Sequence, residues 1–105
     1  MLGEILRTSV THQAHSVARY GGEEFAMLLP HTSLTDSIQL AEQVRERTGA
    51  MKIRNRQTQE VIMSVTISVG VTAARKDDGA ASLIARVDGA LYQSKQSGRN
   101  RVTCA

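Results

Sequence analysis

The amino-acid sequence predicts an α/β fold of the α+β kind, ferredoxin-like in outline, with a largely antiparallel sheet and covering helices. Two observations carry this. From Val61 to Val71 every odd position is apolar (Val61, Met63, Val65, Ile67, Val69, Val71), the period-two mark of a strand with one buried face. On either side of that run, "SLTDSIQLAEQVRERTGA" and "SLIARVDGALYQSKQSG" instead repeat their apolar residues at helical spacing. Taken along the chain, the order is helix, strand, strand, helix, strand, helix, strand, which is α/β material with adjacent antiparallel strands.

Residues 2–13 read as a short helix, with Leu2, Ile5, Leu6 and Val10 at helical spacing. "SVARY" (16–20) and "FAMLL" (25–29) predict two short strands joined by the turn Gly21-Gly22-Glu23-Glu24, and Pro30 closes the second. The next helix opens at Ser33, whose hydroxyl is three residues from Asp36 as in a capping box, and Gly49 is the expected C′ residue. Leu34, Ile38, Ala41, Val44 and Thr48 form its inner stripe, with Glu42, Arg45 and Glu46 on the wet side. The polar "KIRNRQTQE" predicts a hairpin arm, and Val61–Val71 an internal strand covered by helices on one side. In the last helix Ser82 is the expected cap, and Leu83, Ile84, Val87, Ala90 and Leu91 face inward. Gly98 stops it. Gly89 in its interior costs roughly 1 kcal/mol against alanine, which points to close packing there. A terminal strand, "NRVTC", follows.

With 105 residues, 41% hydrophobic and 22% charged, the chain is one small globular domain. Its aromatics are Tyr20, Phe25 and Tyr92, so the core is aliphatic, and base stacking on single-stranded nucleic acid has almost nothing to use. A net charge of +3 permits a phosphate-bearing partner. The one cysteine, Cys104, excludes an intramolecular disulfide and fits a reducing compartment. "MLGEILRTSV" has no apolar signal region, and no run approaches the ~20 apolar residues of a membrane span. The expected location is cytoplasmic.

Chemistry concentrates in "ARYGGEEFAMLLP". Gly21 and Gly22 leave the backbone bare for close approach of a ligand, while Glu23 and Glu24 set carboxylates beside it, a pattern suited to a hard cation or nucleotide. Lys95 and Arg99 stand at i and i+4 near the end of the last helix, where both could face one ligand, although cations are common at helix C-termini.

The segments "VARYGGEEF", "LLP", "VTISVGV", "ALYQSK" and "GRNRV" stand in the order and spacing of the GGDEF domain of bacterial diguanylate cyclases. The chain resembles that family from about Leu2 to Val102, with GGEEF as an active variant of the signature. The resemblance implies a palm-like fold related to class III nucleotide cyclases, and condensation of two GTP into cyclic di-GMP with release of two pyrophosphates. It implies that Glu23 binds the metal, Mg²⁺ or Mn²⁺, and helps activate the attacking hydroxyl. Glu24 supports the same metal, and Gly21 and Gly22 let the nucleotide lie against the turn. Lys95 and Arg99 would hold the terminal phosphates. It also implies a homodimer in which each protomer presents one GTP, with an upstream sensor or receiver domain.

Two departures from the family pattern set further expectations. A GGDEF domain begins with an aspartate-bearing strand, then a helix with "FK" and an "ND" pair, and nothing in this sequence corresponds. Residues 1–105 are thus expected to form a partial GGDEF domain, from the second helix onward, inactive alone for want of the first metal-binding aspartate. Its strand edges would be unpaired, and the chain alone would be marginal, oligomeric, strand-swapped or completed by another polypeptide. "KDDGA" offers Asp77 and Asp78, expected as loop and N-cap. The second departure is "HQAH", which puts His12 and His15 where many family members carry the arginine and aspartate of a product-binding site. Imidazoles cannot replace a guanidinium and a carboxylate, so no product inhibition is expected there. As a metal pair they supply only two ligands. His31 reads as a loop residue. The reading from another class is a non-catalytic GGDEF remnant acting as a nucleotide-binding or protein-interaction module.

Overall fold

The computed structural model describes residues 16–19 and 24–105. The expected helix over 2–13, and Gly21, Gly22 and Glu23 of the turn, lie outside the described residues. β1 (Ser16–Arg19) and β2 (Phe25–Leu28) form the expected antiparallel hairpin, with Ser16 opposite Leu28 and Arg19 opposite Phe25.

α1 (Leu34–Ala50) begins where its sequence places it: the Asp36 N–H donates to Ser33 Oγ at 3.0 Å. It does not end at Gly49. The helix runs through to Ala50, and the extended Met51 closes it, its N–H donating to the Thr48 carbonyl at 3.1 Å. Met51 packs against Val44 and leads straight into β3 (Lys52–Arg54), a path that a left-handed glycine turn would not give. The buried residues are Leu40, Val44 and Thr48, one turn apart, whereas Leu34, Ile38 and Ala41 are only half-buried. Val44 is the centre of the packing, touched by Met27 of β2, Met51 and Ile67. Thr48 is buried without penalty because its hydroxyl donates back to the Val44 carbonyl at 2.8 Å.

The polar arm is a strand, as expected. β3 pairs antiparallel with β4 (Val61–Ser64), and Asn55 organises the turn, its Oδ1 accepting from the N–H groups of Gln57 (2.8 Å) and Thr58 (3.2 Å). The single long strand from Val61 to Val71 is not observed. β4 stops at Ser64, and a separate β5 (Val69–Val71) pairs in parallel with β6 (Val102–Cys104). Residues 65–68 carry the chain from one partner to the other. Nor is one face of this run buried throughout, since Val61 and Met63 are 47% and 49% exposed while Val71 is 9% exposed.

α2 (Ala80–Gln96) starts earlier than Ser82, which sits in the first turn and accepts the N–H of the capping residue Gly79 at 3.1 Å. Ala90 and Ser94 are buried, Leu83, Val87 and Leu91 are half-buried, and Ile84 is 39% exposed. Gly98 ends the helix as expected, with a φ of 119° that favours glycine. The glycine that permits close packing is Gly70, not Gly89. A Cβ on Gly89 would meet nothing within 4 Å, whereas one on Gly70 would lie 2.6 Å from the Val87 carbonyl oxygen. Ser94 locks the same contact, its hydroxyl 2.8 Å from the Val69 carbonyl and 2.6 Å from Thr103 Oγ1. Gly70 of β5 therefore faces the helix, and its neighbour Val71 is buried.

Among the described residues the strands pair two by two, β1–β2 and β3–β4 antiparallel and β5–β6 parallel. The architecture is α+β, with α1 and α2 packed on the β5–β6 pair.

Candidate functional site

Glu24, immediately before β2, meets Lys95 in the last turn of α2, with Lys95 Nζ 3.7 Å from Glu24 Oε1. This contact joins the GGEE turn to the helix end that sequence reasoning had paired with it. The Lys95 backbone is held because Ser94, its neighbour, is fully buried and bonded to β5 and β6. Both charged side chains remain accessible, at 38% for Lys95 and 44% for Glu24. An ion pair so open to water is weak, so Lys95 can leave Glu24 for a stronger anion at little cost.

Arg99 does not share a helical face with Lys95. Gly98 turns the chain out of α2, and Arg99 and Asn100 follow in left-handed conformations, with φ of 62° and 46°. The Arg99 N–H donates back to the Ser94 carbonyl at 2.9 Å, which keeps this exposed residue beside the helix end. Arg101 folds over the turn, its Nε donating to the Arg99 carbonyl at 3.1 Å. The loop 98–101 is thus tied back to the end of the helix that carries Lys95.

Sequence reasoning left Arg45 on a wet helix face. In the structure its Nη1 donates to Asn100 Oδ1 at 3.1 Å, and its Nε and Nη2 donate to Glu42 Oε2 at 3.1 and 2.8 Å. The bonds to Glu42 raise the guanidinium's pKa further above its ordinary value. Helical spacing could have found the Glu42–Arg45 pair, but nothing local in sequence points from Arg45 to Asn100.

Asp78 is not an N-cap either. It lies before Gly79 and binds Arg86, whose Nη2 and Nη1 reach Oδ1 and Oδ2, the latter at 3.0 Å. Oδ2 also accepts the Arg75 N–H at 2.6 Å, and Oδ1 the Ser82 hydroxyl at 3.0 Å. The hydrogen bond from Arg86, then that from Arg75, hold its pKa down at about 2. This cluster fastens the loop between β5 and α2. Asp77 is an exposed loop residue, as expected. His31 lies in an exposed turn, also as expected, with φ 56°. Gly21, Gly22, Glu23, His12 and His15 lie outside the described residues. Among the described residues no three histidine, cysteine, aspartate or glutamate side chains gather as a metal cluster, and no helix is long and apolar enough to cross a membrane.

Comparison with known proteins gives this arrangement a family. The family model described as "Diguanylate cyclase, GGDEF domain" matches residues 1–101. Diguanylate cyclase VdcA of Vibrio cholerae is 45% identical over 84 residues, which cover 80% of this chain and 25% of that protein. The chain spans about a quarter of the length of curated relatives that it matches. Among solved structures, the coiled coil and GGDEF domain of DgcB from Caulobacter crescentus, in complex with c-di-GMP, superposes with a TM-score of 0.90. Identity is 31%, covering 99% of this chain and 54% of that one. The active GGEEF domain of a diguanylate cyclase from Vibrio cholerae superposes at 0.78 with 31% identity, covering 98% of this chain and 63% of that one. With matching family model, relatives and fold, the chain belongs to the GGDEF domain family of diguanylate cyclases.

Proposed function

We propose that the chain forms the GGEEF and phosphate-binding side of a diguanylate cyclase site, acting on GTP to make cyclic di-GMP. The single observation behind this is the pairing of Glu24 with Lys95 at 3.7 Å, which puts an acid of the signature and a family-matched cation at one place. In the reaction the 3′-hydroxyl of one GTP gives up its proton, helped by Glu23, and its oxygen forms a bond to the α-phosphorus of the other. The bond from that phosphorus to the oxygen bridging to the β-phosphate breaks, and pyrophosphate leaves. The same exchange in the reverse sense closes the ring, so two chains each presenting one GTP account for the product.

Lys95 and Arg99 neutralise the β- and γ-phosphates, and charge that builds on the departing pyrophosphate is met by fixed cations. Glu23 and Glu24 would hold the divalent cation. Mg²⁺ prefers oxygen ligands and is satisfied by one or two carboxylates plus phosphate oxygens, which the half-buried Glu24 carboxylate and its neighbour fit. When bound, Mg²⁺ or Mn²⁺ supplies positive charge at the triphosphate. Gly21 and Gly22 give the nucleotide room at the turn. Residues 1–105 are proposed to be a partial GGDEF domain that makes no cyclic di-GMP alone, and a cytoplasmic one.

GTP turnover with Mg²⁺ or Mn²⁺, with products identified by mass and Glu23→Ala run beside the parent chain, tests both parts. GTP binding without product is the expected result. Cyclic di-GMP that disappears in Glu23→Ala would establish the cyclase reading and overturn the inactivity. Absence of GTP binding would overturn the site and leave a protein-interaction module.

A further inference from the structure

Three consecutive residues, Gly98, Arg99 and Asn100, have positive φ values of 119°, 62° and 46°. Glycine accepts this freely and asparagine tolerates it, but arginine does not, so the strain falls on Arg99. A residue persists in such a conformation only where its surroundings over-determine it. Here each flank is tied. The Arg99 N–H is bonded to Ser94, the Arg99 carbonyl accepts from Arg101, and the Arg101 carbonyl accepts the Val69 N–H at 2.9 Å. All these ties run to the loop itself or to the α2–β5 block it leaves.

The remaining tie comes from elsewhere. Arg45 belongs to α1, and its Nη1 holds Asn100 Oδ1 across 55 positions of sequence. Its Nε and Nη2 are engaged by Glu42, with Glu46 Oε1 3.9 Å from Nη2, and with a side chain only 23% exposed it is fixed before it reaches the loop. A guanidinium can serve Glu42 and Asn100 at once because its donors diverge from a rigid plane. A lysine ammonium is a single point and cannot span both.

We propose that Arg45 is a positioning residue for the phosphate site: oriented by Glu42, it clamps Asn100 and so holds Arg99 in the strained turn that aims its guanidinium beside Lys95. The proposal rests on the reading of Arg99 as a phosphate ligand. In this arrangement Arg45 itself touches no phosphate. Its effect passes through the loop, and a cyclase of this kind is tuned from a helix that carries none of its signature.

The experiment compares the parent chain with Arg45→Lys, Asn100→Gly, Arg99→Ala and the double variant Arg45→Lys/Arg99→Ala. Each is titrated with a fluorescent GTP analogue and with inorganic pyrophosphate in the presence of Mg²⁺. Amide exchange of residues 98–101 is followed in parallel. Arg45→Lys keeps the charge and removes the clamp from the helix side. Asn100→Gly still allows the left-handed backbone but also frees it, so Arg45→Lys decides and Asn100→Gly supports. Urea midpoints identify any variant that fails to fold. Expected are an affinity loss of about fivefold in either clamp variant, the factor that accompanies one lost hydrogen bond, and faster exchange confined to the loop. The double variant is expected to bind no more weakly than Arg99→Ala, because Arg45 acts through Arg99.

Unchanged affinity and exchange in Arg45→Lys, with a loss in Arg99→Ala, would overturn the clamp and spare the phosphate site. Losses that multiply in the double variant would overturn it too, since Arg45 would then act independently. No loss in Arg99→Ala, or no binding by the parent chain, would overturn the phosphate reading and the clamp with it.

Discussion

The β3–β4 ribbon and the β5–α2–β6 unit are drawn partly from one apolar run, yet they differ in almost every physical respect. In the ribbon, Val61 and Met63 are about half exposed and the turn is organised by polar contacts of Asn55. In the unit, Val71 and Ala90 are buried and Ser94 binds both strands. Gly70 lets the helix backbone rest on the strand. Lys95 and Arg99 are mounted on the second region only. The proposed phosphate site therefore rests on the part of the molecule where Ser94 and Gly70 tie helix to strand.

The largest way to break this comparison is Gly70→Ala. Its new methyl would strike helix backbone, which cannot rotate aside as a side chain can, so a loss of about 1–3 kcal/mol is expected. Gly89→Ala is the matching control. With open space around it, alanine there is expected to stabilise by about 0.5–1 kcal/mol through helix propensity. Urea denaturation of both variants measures the signs. Equal signs would mean that α2 does not rest on β5 as described.

These two glycines also show what was legible in the sequence. Hairpin β1–β2, the Ser33 cap, the polar arm and the Gly98 stop were readable because each depends on residues a few positions apart. The apolar alternation from Val61 to Val71 was real, but a period says which residues share a face and not which strand pairs with them. The change of partner between Ser64 and Val69 was therefore invisible. Gly70 falls between the apolar positions of that alternation, and its missing side chain is what admits α2. Glu24 and Lys95 stand out in the sequence by type, and the fold brings their side chains within 3.7 Å. Arg45 was hidden because its partner Asn100 is distant in sequence.

Acid sharpens the comparison within the β5–α2–β6 unit, at the loop that joins β5 to α2. Folding lowers the Asp78 pKa from 3.8 to about 2, so the folded state binds fewer protons in that interval. The contribution of the Asp78–Arg86 cluster is thus complete above about pH 4 and is lost as pH falls towards 2. Thermal melts between pH 5 and 2 are expected to show a steeper decline for the parent chain than for Asp78→Asn, in which the proton is no longer taken up. Parallel declines would place the acid sensitivity elsewhere.

The smallest expected effect is the most discriminating about the ribbon. Val61→Thr keeps a β-branched side chain and exposes its hydroxyl to water, so stability should change by no more than about 0.5 kcal/mol. Val71→Thr makes the same chemical change at a buried position, where a hydroxyl without a partner costs about 1–3 kcal/mol. The pair isolates burial from strand propensity, because both residues lie in strands and on one arm of the same alternation. Equal losses would mean that the outer face of β4 is covered in the folded species. Repeating the Val61→Thr melt across a hundredfold range of protein concentration would then say whether a second copy of the chain is the cover, since only that occupant makes the loss grow with concentration.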